Sequence, residues 1–148
     1  MAGFIGQADR SVDSKGRVAI PAKMRSELSP DARETFTVTR GLESCIWLYP
    51  QNKWEQVEAH LAEKSAFDRE NRAFRRKLLR WAEEVTLDGQ GRIVLPRPLQ
   101  DFAGIDGQAL VLGQIDHIEV WNPQEFERYD DELGESYEEI AEQVMGDR

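Results

Sequence analysis

The chain has one cysteine, Cys45, and two histidines, His60 and His117, among its 148 residues. A single thiol excludes an intrachain disulfide and suits a reducing compartment. With so few soft ligands, and no ligand spacing among them, no metal site is expected. No apolar run approaches the roughly 20 residues that cross a bilayer. The start, Met1-Ala2-Gly3-Phe4-Ile5-Gly6-Gln7, has neither the basic residues nor the apolar core of a secretion signal. These features predict a cytoplasmic protein without membrane contact. A phosphate-cradling glycine loop, a G-x-S-x-G elbow and a partnered Cys/His pair are all missing. Carboxylates are plentiful, but no pair stands out by spacing, so neither an enzyme nor a cofactor is expected. Cys45 opens an apolar strand and reads as a small core residue, while His60 reads as a surface residue of a helix.

Positive charge is also scarce, with a net charge of −9, which at first argues against nucleic acid. The distribution changes that reading. Glu125, Glu127, Asp130, Asp131, Glu132, Glu135, Glu138, Glu139 and Glu142 crowd the C-terminal end, with only Arg128 and Arg148 as basic companions. The rest is close to neutral and carries two basic runs. One is Lys15, Arg17, Lys23 and Arg25; the other is Arg69, Arg72, Arg75, Arg76, Lys77 and Arg80.

What the chain does have is a repeat of itself. Asp13-Ser-Lys-Gly-Arg17-Val-Ala-Ile-Pro21 matches Asp88-Gly-Gln-Gly-Arg92-Ile-Val-Leu-Pro96, 75 residues later. Both read D-x-x-G-R, three apolar residues and a proline. Ile46-Trp47-Leu48-Tyr49 matches Ile118-Glu119-Val120-Trp121 at a spacing of 72, and Trp54, Val57 and Leu61 match Phe126, Tyr129 and Leu133 at the same spacing. Two blocks in the same order identify a tandem duplication.

Each half has the same predicted layout. Phe4, Gly6, Ala8 and Val12 suit a strand with one buried face, which the turn Asp13-Ser14-Lys15-Gly16 ends before Val18 and Ile20 resume the alternation. Gly16 falls where a tight loop needs positive φ. Val85, Leu87, Ile93 and Leu95 flank the second loop in the same way. Pro21 and Pro96 suit the first turn of short helices, with Met24 and Leu28, or Leu99 and Ala103, facing inward. Further strands are predicted near Phe36–Thr39, Cys45–Tyr49, Leu110–Leu112 and Ile118–Trp121, and each half closes with a helix that starts at a proline. Between the halves, Phe67, Phe74, Leu78 and Trp81 are expected on one helix face opposite a basic one. Trp47, Trp54, Trp81 and Trp121 all fall at packing positions. Each half is too small to bury a core alone, so the two are expected to pack as one pseudo-two-fold unit.

The duplicated D-x-x-G-R hairpin resembles the AbrB-like (SpoVT-AbrB) DNA-binding domain. Two copies, with Thr39-Arg40-Gly41-Leu42 and Leu48-Tyr49-Pro50 between them, are similar to the MraZ family, from Phe4 to about Ala141. The resemblance implies an α+β, mainly β fold: a pseudo-two-fold, double swapped-hairpin β-barrel with short flanking helices. Repeats are placed at 5–52 and 81–124, with connecting helices at 53–80 and an acidic C-terminal helix and tail at 125–148. It also implies a ring-like homo-oligomer that binds short direct repeats in promoter DNA. Such a protein would be nucleoid-associated, repressing its own promoter and cell-division or cell-wall genes.

The residues themselves support two roles for the loops. Asp and Arg four apart can meet across a tight turn, so Asp13–Arg17 and Asp88–Arg92 are expected to staple their hairpins. An exposed pair contributes only about 0–1 kcal/mol. A guanidinium held by a carboxylate is also pre-oriented for a phosphate or a guanine edge. The expected DNA-binding residues are Asp13, Lys15, Gly16, Arg17, Lys23, Arg25, Asp88 and Arg92. Lys15, Lys23 and Arg25 surround the first hairpin in sequence, where the second copy has Gln90, Pro98 and Gln100. The first hairpin is therefore expected to carry most DNA affinity. The basic 72–80 helix reads as a solvated face or as a partner for acids on a neighbour. The alternative reading is a protein-interaction scaffold with the acidic tail as its working surface.

Overall fold

The computed structural model describes residues 3–146; the first two residues and the last two, Asp147 and Arg148, lie outside them. The first half runs β1 (Gln7–Ser11), β2 (Arg17–Ala19), α1 (Ala22–Arg25), β3 (Thr35–Arg40), β4 (Ile46–Pro50), α2 (Gln51–Ala62) and α3 (Arg69–Leu79). The second repeats this order as β5 (Glu83–Thr86), β6 (Arg92–Val94), α4 (Arg97–Ala103), β7 (Gln108–Gly113), β8 (Ile118–Trp121), α5 (Pro123–Glu132) and α6 (Tyr137–Met145). A single 3-10 turn at Pro30–Ala32 breaks the correspondence. The fold is α+β and mainly β.

Strand order in the six-stranded sheet is β1-β7-β8-β4-β3-β5, and β2 pairs with β6 in a separate ribbon. Exchanging the halves turns this order into its own reverse, so the sheet has a pseudo-two-fold axis between β4 and β8. All pairings are antiparallel. β1 pairs with β7 from Gln7↔Leu112 to Ser11↔Gln108, while β5 pairs with β3 from Thr35↔Thr86 to Val38↔Glu83. Each N-terminal hairpin thus makes its ladders with the other half. Within the first hairpin only the bridge Val12↔Val18 joins the two arms.

Apolar periodicity explains why the halves share one core. Val18 and Ile20 from β2, and Ile93 and Leu95 from β6, enter one buried cluster with Phe36, Val38, Leu48, Val111, Ile118 and Val120. Truncating one of these large aliphatic side chains to alanine costs about 2–5 kcal/mol, a large share of a domain's net stability. The outer face of the sheet is covered by helices. Tyr49 packs with Trp54 of α2 and Leu78 of α3, and its counterpart Trp121 packs with Phe126 and Tyr129 of α5. All four tryptophans take part in this packing, as expected.

Three details differ from the sequence reading. Pro21 and Pro96 sit at the N-cap with extended ψ near 139°, one residue before the first helical turn. Pro50 caps α2 in the same way, whereas Pro123 and Pro98 lie inside the first turns of α5 and α4. Of the apolar face expected between the halves, Leu78 is buried and Trp81 packs on the core, but Phe67 is 96% exposed and Phe74 42% exposed. Phe67 precedes the Asp68 cap, outside the helical register that would have turned it inward.

Candidate nucleic-acid interface

The two D-x-x-G-R loops have the same geometry. In the first, one carboxylate oxygen of Asp13 accepts from the backbone N–H groups of Lys15 (3.0 Å) and Arg17 (2.9 Å). The other accepts from Arg17 Nε at 2.6 Å. In the second, Asp88 accepts from Gln90 N–H (2.8 Å), Arg92 N–H (2.9 Å) and Arg92 Nε (2.9 Å). Gly16 and Gly91 donate to the carbonyls of Asp13 and Asp88 and take φ of +80° and +75°. A side chain at either position would cost roughly 1–2 kcal/mol in conformation alone. The aspartate therefore serves two purposes, satisfying the loop backbone and aiming the arginine.

These contacts hold the Asp13 carboxyl below the usual carboxylate range, chiefly through the backbone N–H of Arg17, and Asp88 below it through that of Arg92. Both stay ionised well into acid. Each arginine spends only Nε on its staple; its terminal nitrogens make no hydrogen bond among the described residues. About a third of each arginine side chain is exposed. What is left is a fixed two-pronged donor, the form that matches a phosphate or the O6/N7 edge of guanine.

The ribbon sets the two arginines relative to each other. Arg17 lies opposite Val94, and Arg92 opposite Ala19. Val18 and Ile93 between them are buried, so the arginines share the outward face. Two residues of strand separate them, roughly 7 Å along the ribbon. The loops rise at opposite ends of that face, which is narrow enough for a major groove about 12 Å wide.

The swap also changes which residues surround each loop. Arg25 Nε donates to the Ile20 carbonyl (3.0 Å), and its counterpart Gln100 donates to the Leu95 carbonyl (2.8 Å). Both then cross to the opposite half. A Cβ on Gly91 would lie 2.7 Å from Arg25 Cζ, and one on Gly16 would lie 2.6 Å from Gln100 Nε2. Arg25, grouped with the first hairpin by sequence, belongs to the second loop in space. The cation that Gln90 fails to supply there is replaced by Arg25. Each loop thus has its stapled arginine and one further cation beside it: Lys15 on the first, Arg25 on the second. Lys23 is exposed on α1. The sequence identifies Gln100 as the counterpart of Arg25 but not its place against the first loop, because sequence order groups it with the second hairpin.

Away from this face, Glu43, Cys45 and Glu119 bring one ligand atom each within 4.8 Å of one another. The chemistry there is already accounted for. Glu119 accepts from the indoles of Trp47 (3.2 Å) and Trp121 (2.9 Å), and burial pushes the Cys45 thiol up, keeping it neutral. His60 is exposed, as expected, and His117 stacks on Tyr49 at 4.7 Å. Among the described residues, no helix is long and apolar enough to cross a membrane.

Comparison with known proteins agrees with the duplicated architecture. The family model described as MraZ protein matches twice, over residues 4–77 and 78–148. This chain belongs to the MraZ family. A MraZ relative named Transcriptional regulator MraZ, from Natranaerobius thermophilus, is 37% identical over 142 residues, covering 96% of each chain. The protein of the same name from Syntrophomonas wolfei is 39% identical over the same length and coverage. The Shewanella oneidensis protein is 39% identical over 141 residues, covering 93% of each chain. MraZ membership and the swapped sheet are thus two independent expressions of one duplication.

Proposed function

We propose that the protein is a DNA-binding transcription regulator that reads promoter DNA with the outward face of the β2–β6 ribbon. The observation that carries this reading is the pair of carboxylate-held arginines, Arg17 and Arg92, on one face. Their offset along the ribbon, roughly 7 Å, corresponds to about two base-pair steps at 3.4 Å each. Two arginines forming one rigid pair suit a guanine edge and a neighbouring phosphate better than a solvated surface, where such ordering gains little. Lys15 and Arg25 add phosphate contacts at the two ends, while Gly16 spends its N–H on the Asp13 carbonyl and serves the loop by its positive φ. The names of the relatives support the regulatory role.

A single ribbon face offers few contacts, so several copies acting together supply the affinity by avidity. The finer reading is therefore a ring-like homo-oligomer on short direct repeats, repressing its own promoter and cell-division or cell-wall genes in the cytoplasm, at the nucleoid. In this reading 5–52 and 81–124 are the DNA-reading repeats, 53–80 connects them, and 125–148 keeps an acidic surface away from the duplex.

The test is an electrophoretic shift of the full chain on DNA from upstream of its own gene, against a scrambled duplex of equal length. Retardation of the promoter fragment at concentrations that leave the scrambled duplex free supports the reading. Equal affinity for both, or none for either, overturns it.

A further inference from the structure

The helical pairs α2–α3 and α5–α6 follow the sheet strands of their halves in the same chain order, yet carry opposite charge. On α3, Arg69, Ala73, Arg76, Lys77 and Arg80 fall on one stripe by helical spacing, all exposed and opposite the buried Leu78. None of those four cations forms an ion pair among the described residues. Arg80 only lies over the Trp81 ring at 4.6 Å. Just before the helix stands Phe67, 96% exposed.

The second half presents the complement. From Glu125 to Met145 there are nine carboxylates and one arginine. Asp130, Asp131 and Glu135 are exposed, line the groove between these two helices and pair with no cation among the described residues. Tyr137, Ile140, Ala141 and Val144 form an apolar stripe on α6 that lines an open groove against α5. Tyr137 is 82% exposed and Val144 72% exposed. Ser136 and Glu139 close a reciprocal cap at the helix start, so α6 is a formed helix with no partner for its apolar face.

We propose that the α5–α6 groove is the docking site for α3 of a second copy of this chain. This rests on the oligomer reading above and names its contact. Phe67 supplies apolar surface to the groove, while Arg69, Arg76 and Lys77 meet the carboxylates along its rim. Charge also dictates order. Two copies meeting α3 to α3 bring cations together, and two meeting α6 to α6 bring carboxylates together. Only the unlike pairing is attractive, so association is head-to-tail, and a head-to-tail contact propagates until it closes. Duplication followed by opposite charging of the two helical pairs thus turns a symmetric unit into a polar one. The groove does not accept a nucleic acid, because its rim has the same sign as phosphate.

The test uses charge exchange in the full chain. One variant carries Arg69→Glu, Arg76→Glu and Lys77→Glu; the other carries Asp130→Lys, Asp131→Lys and Glu135→Lys. By light scattering at micromolar concentration, wild type is expected at a mass several times 17.0 kDa. Each variant alone is expected near a single copy, and an equimolar mixture is expected to regain the wild-type mass. Recovery on mixing also shows that both variants are folded. A variant that keeps the wild-type mass, or a mixture that stays small, overturns the contact while leaving the oligomer itself standing. A wild type at a single copy overturns the oligomer reading and this contact with it. The milder pair Arg69→Gln and Arg76→Gln guards against misfolding. It is expected to weaken self-association at least tenfold, and unchanged association overturns the proposal.

Discussion

Arg25→Gln is expected to weaken DNA binding as much as Lys15→Gln, although sequence order assigns both residues to the first hairpin. The reason is where the side chain lies. A Cβ on Gly91 would touch Arg25 Cζ, and only Nε of Arg25 is engaged, so its terminal nitrogens are available at the second loop. Glutamine at this position reproduces the arrangement at Gln100, which keeps the backbone bond and has no charge. The substitution therefore removes a cation and little else. Each phosphate contact contributes about −0.9 to the slope of log K against log salt. At 0.1 M salt that corresponds to about 1.2 kcal/mol per contact. If two copies engage the duplex, the loss is about 2.4 kcal/mol, roughly 60-fold in affinity, with the slope shallower by about 1.8. Fluorescence anisotropy on one promoter duplex from 50 to 300 mM salt measures both, a range set by the need for a reliable slope. An Arg25→Gln slope equal to wild type, beside a reduced slope for Lys15→Gln, would refute the crossed placement as the source of affinity. The first hairpin would then dominate, as sequence order suggests.

Other outcomes follow from the same contacts. Gly6, Gly16 and Gly91 all have positive φ, but a Cβ meets nothing within 4 Å at Gly6 and the Leu95 carbonyl oxygen at 2.9 Å at Gly16. Gly6→Ala should cost about 1–2 kcal/mol in urea unfolding, and Gly16→Ala clearly more; equal losses would show that the ribbon end yields freely. Because Asp13 and Asp88 have lowered pKa values when folded, their contribution is complete above the ordinary carboxylate range, near 3.9. It is lost as pH falls through the folded values. Asp13→Asn should therefore flatten the acid limb of stability against pH, measured by thermal melting between pH 6 and pH 2, a window chosen to bracket that range; an unaltered limb would contradict this. Glu119→Ala leaves two indole N–H groups without their acceptor. It should cost about 2–6 kcal/mol at the usual 1–3 per orphaned group, and a loss under 1 kcal/mol would mean that water replaces the carboxylate. Residues 1–75 alone should show no cooperative melt, since β1 and β2 find their ladders only in the second half.

The repeat made most of the secondary structure legible, because each apolar alternation could be read twice. The loop staples were legible for a local reason: residues four apart across a glycine turn have few ways to meet. Strand partners were a different matter. Nothing in Gln7–Ser11 distinguishes pairing with β3 from pairing with β7, since both offer an apolar strand of equal length. Arg25 was assigned to the wrong loop for the same reason, as proximity in sequence is a poor guide once hairpins are exchanged. Phe74 has the right period and lies mid-helix, yet only Leu78, one turn later, reaches the core, and Phe67 lies beyond the cap. The grouping of Cys45 with Glu119 joins residues from different halves, which only the β4–β8 pairing brings together.

The exchange of hairpins also sets a timetable for synthesis. β1 leaves the ribosome early, but Gln7 pairs with Leu112, so its hydrogen-bonding edge stays open until most of the chain exists. At 5–20 residues per second, roughly 100 intervening residues take about 5–20 s. During that interval all four strands of the nascent first half hold an unsatisfied edge, since β1, β2, β3 and β4 await β7, β6, β5 and β8, and those edges fit the strands of neighbouring chains. Ribosomes closely spaced on one message would present such edges side by side, so cross-chain exchange is the hazard this topology carries from birth. The short β2 and its polar loop limit that hazard, because three residues give a stray partner little ladder to hold.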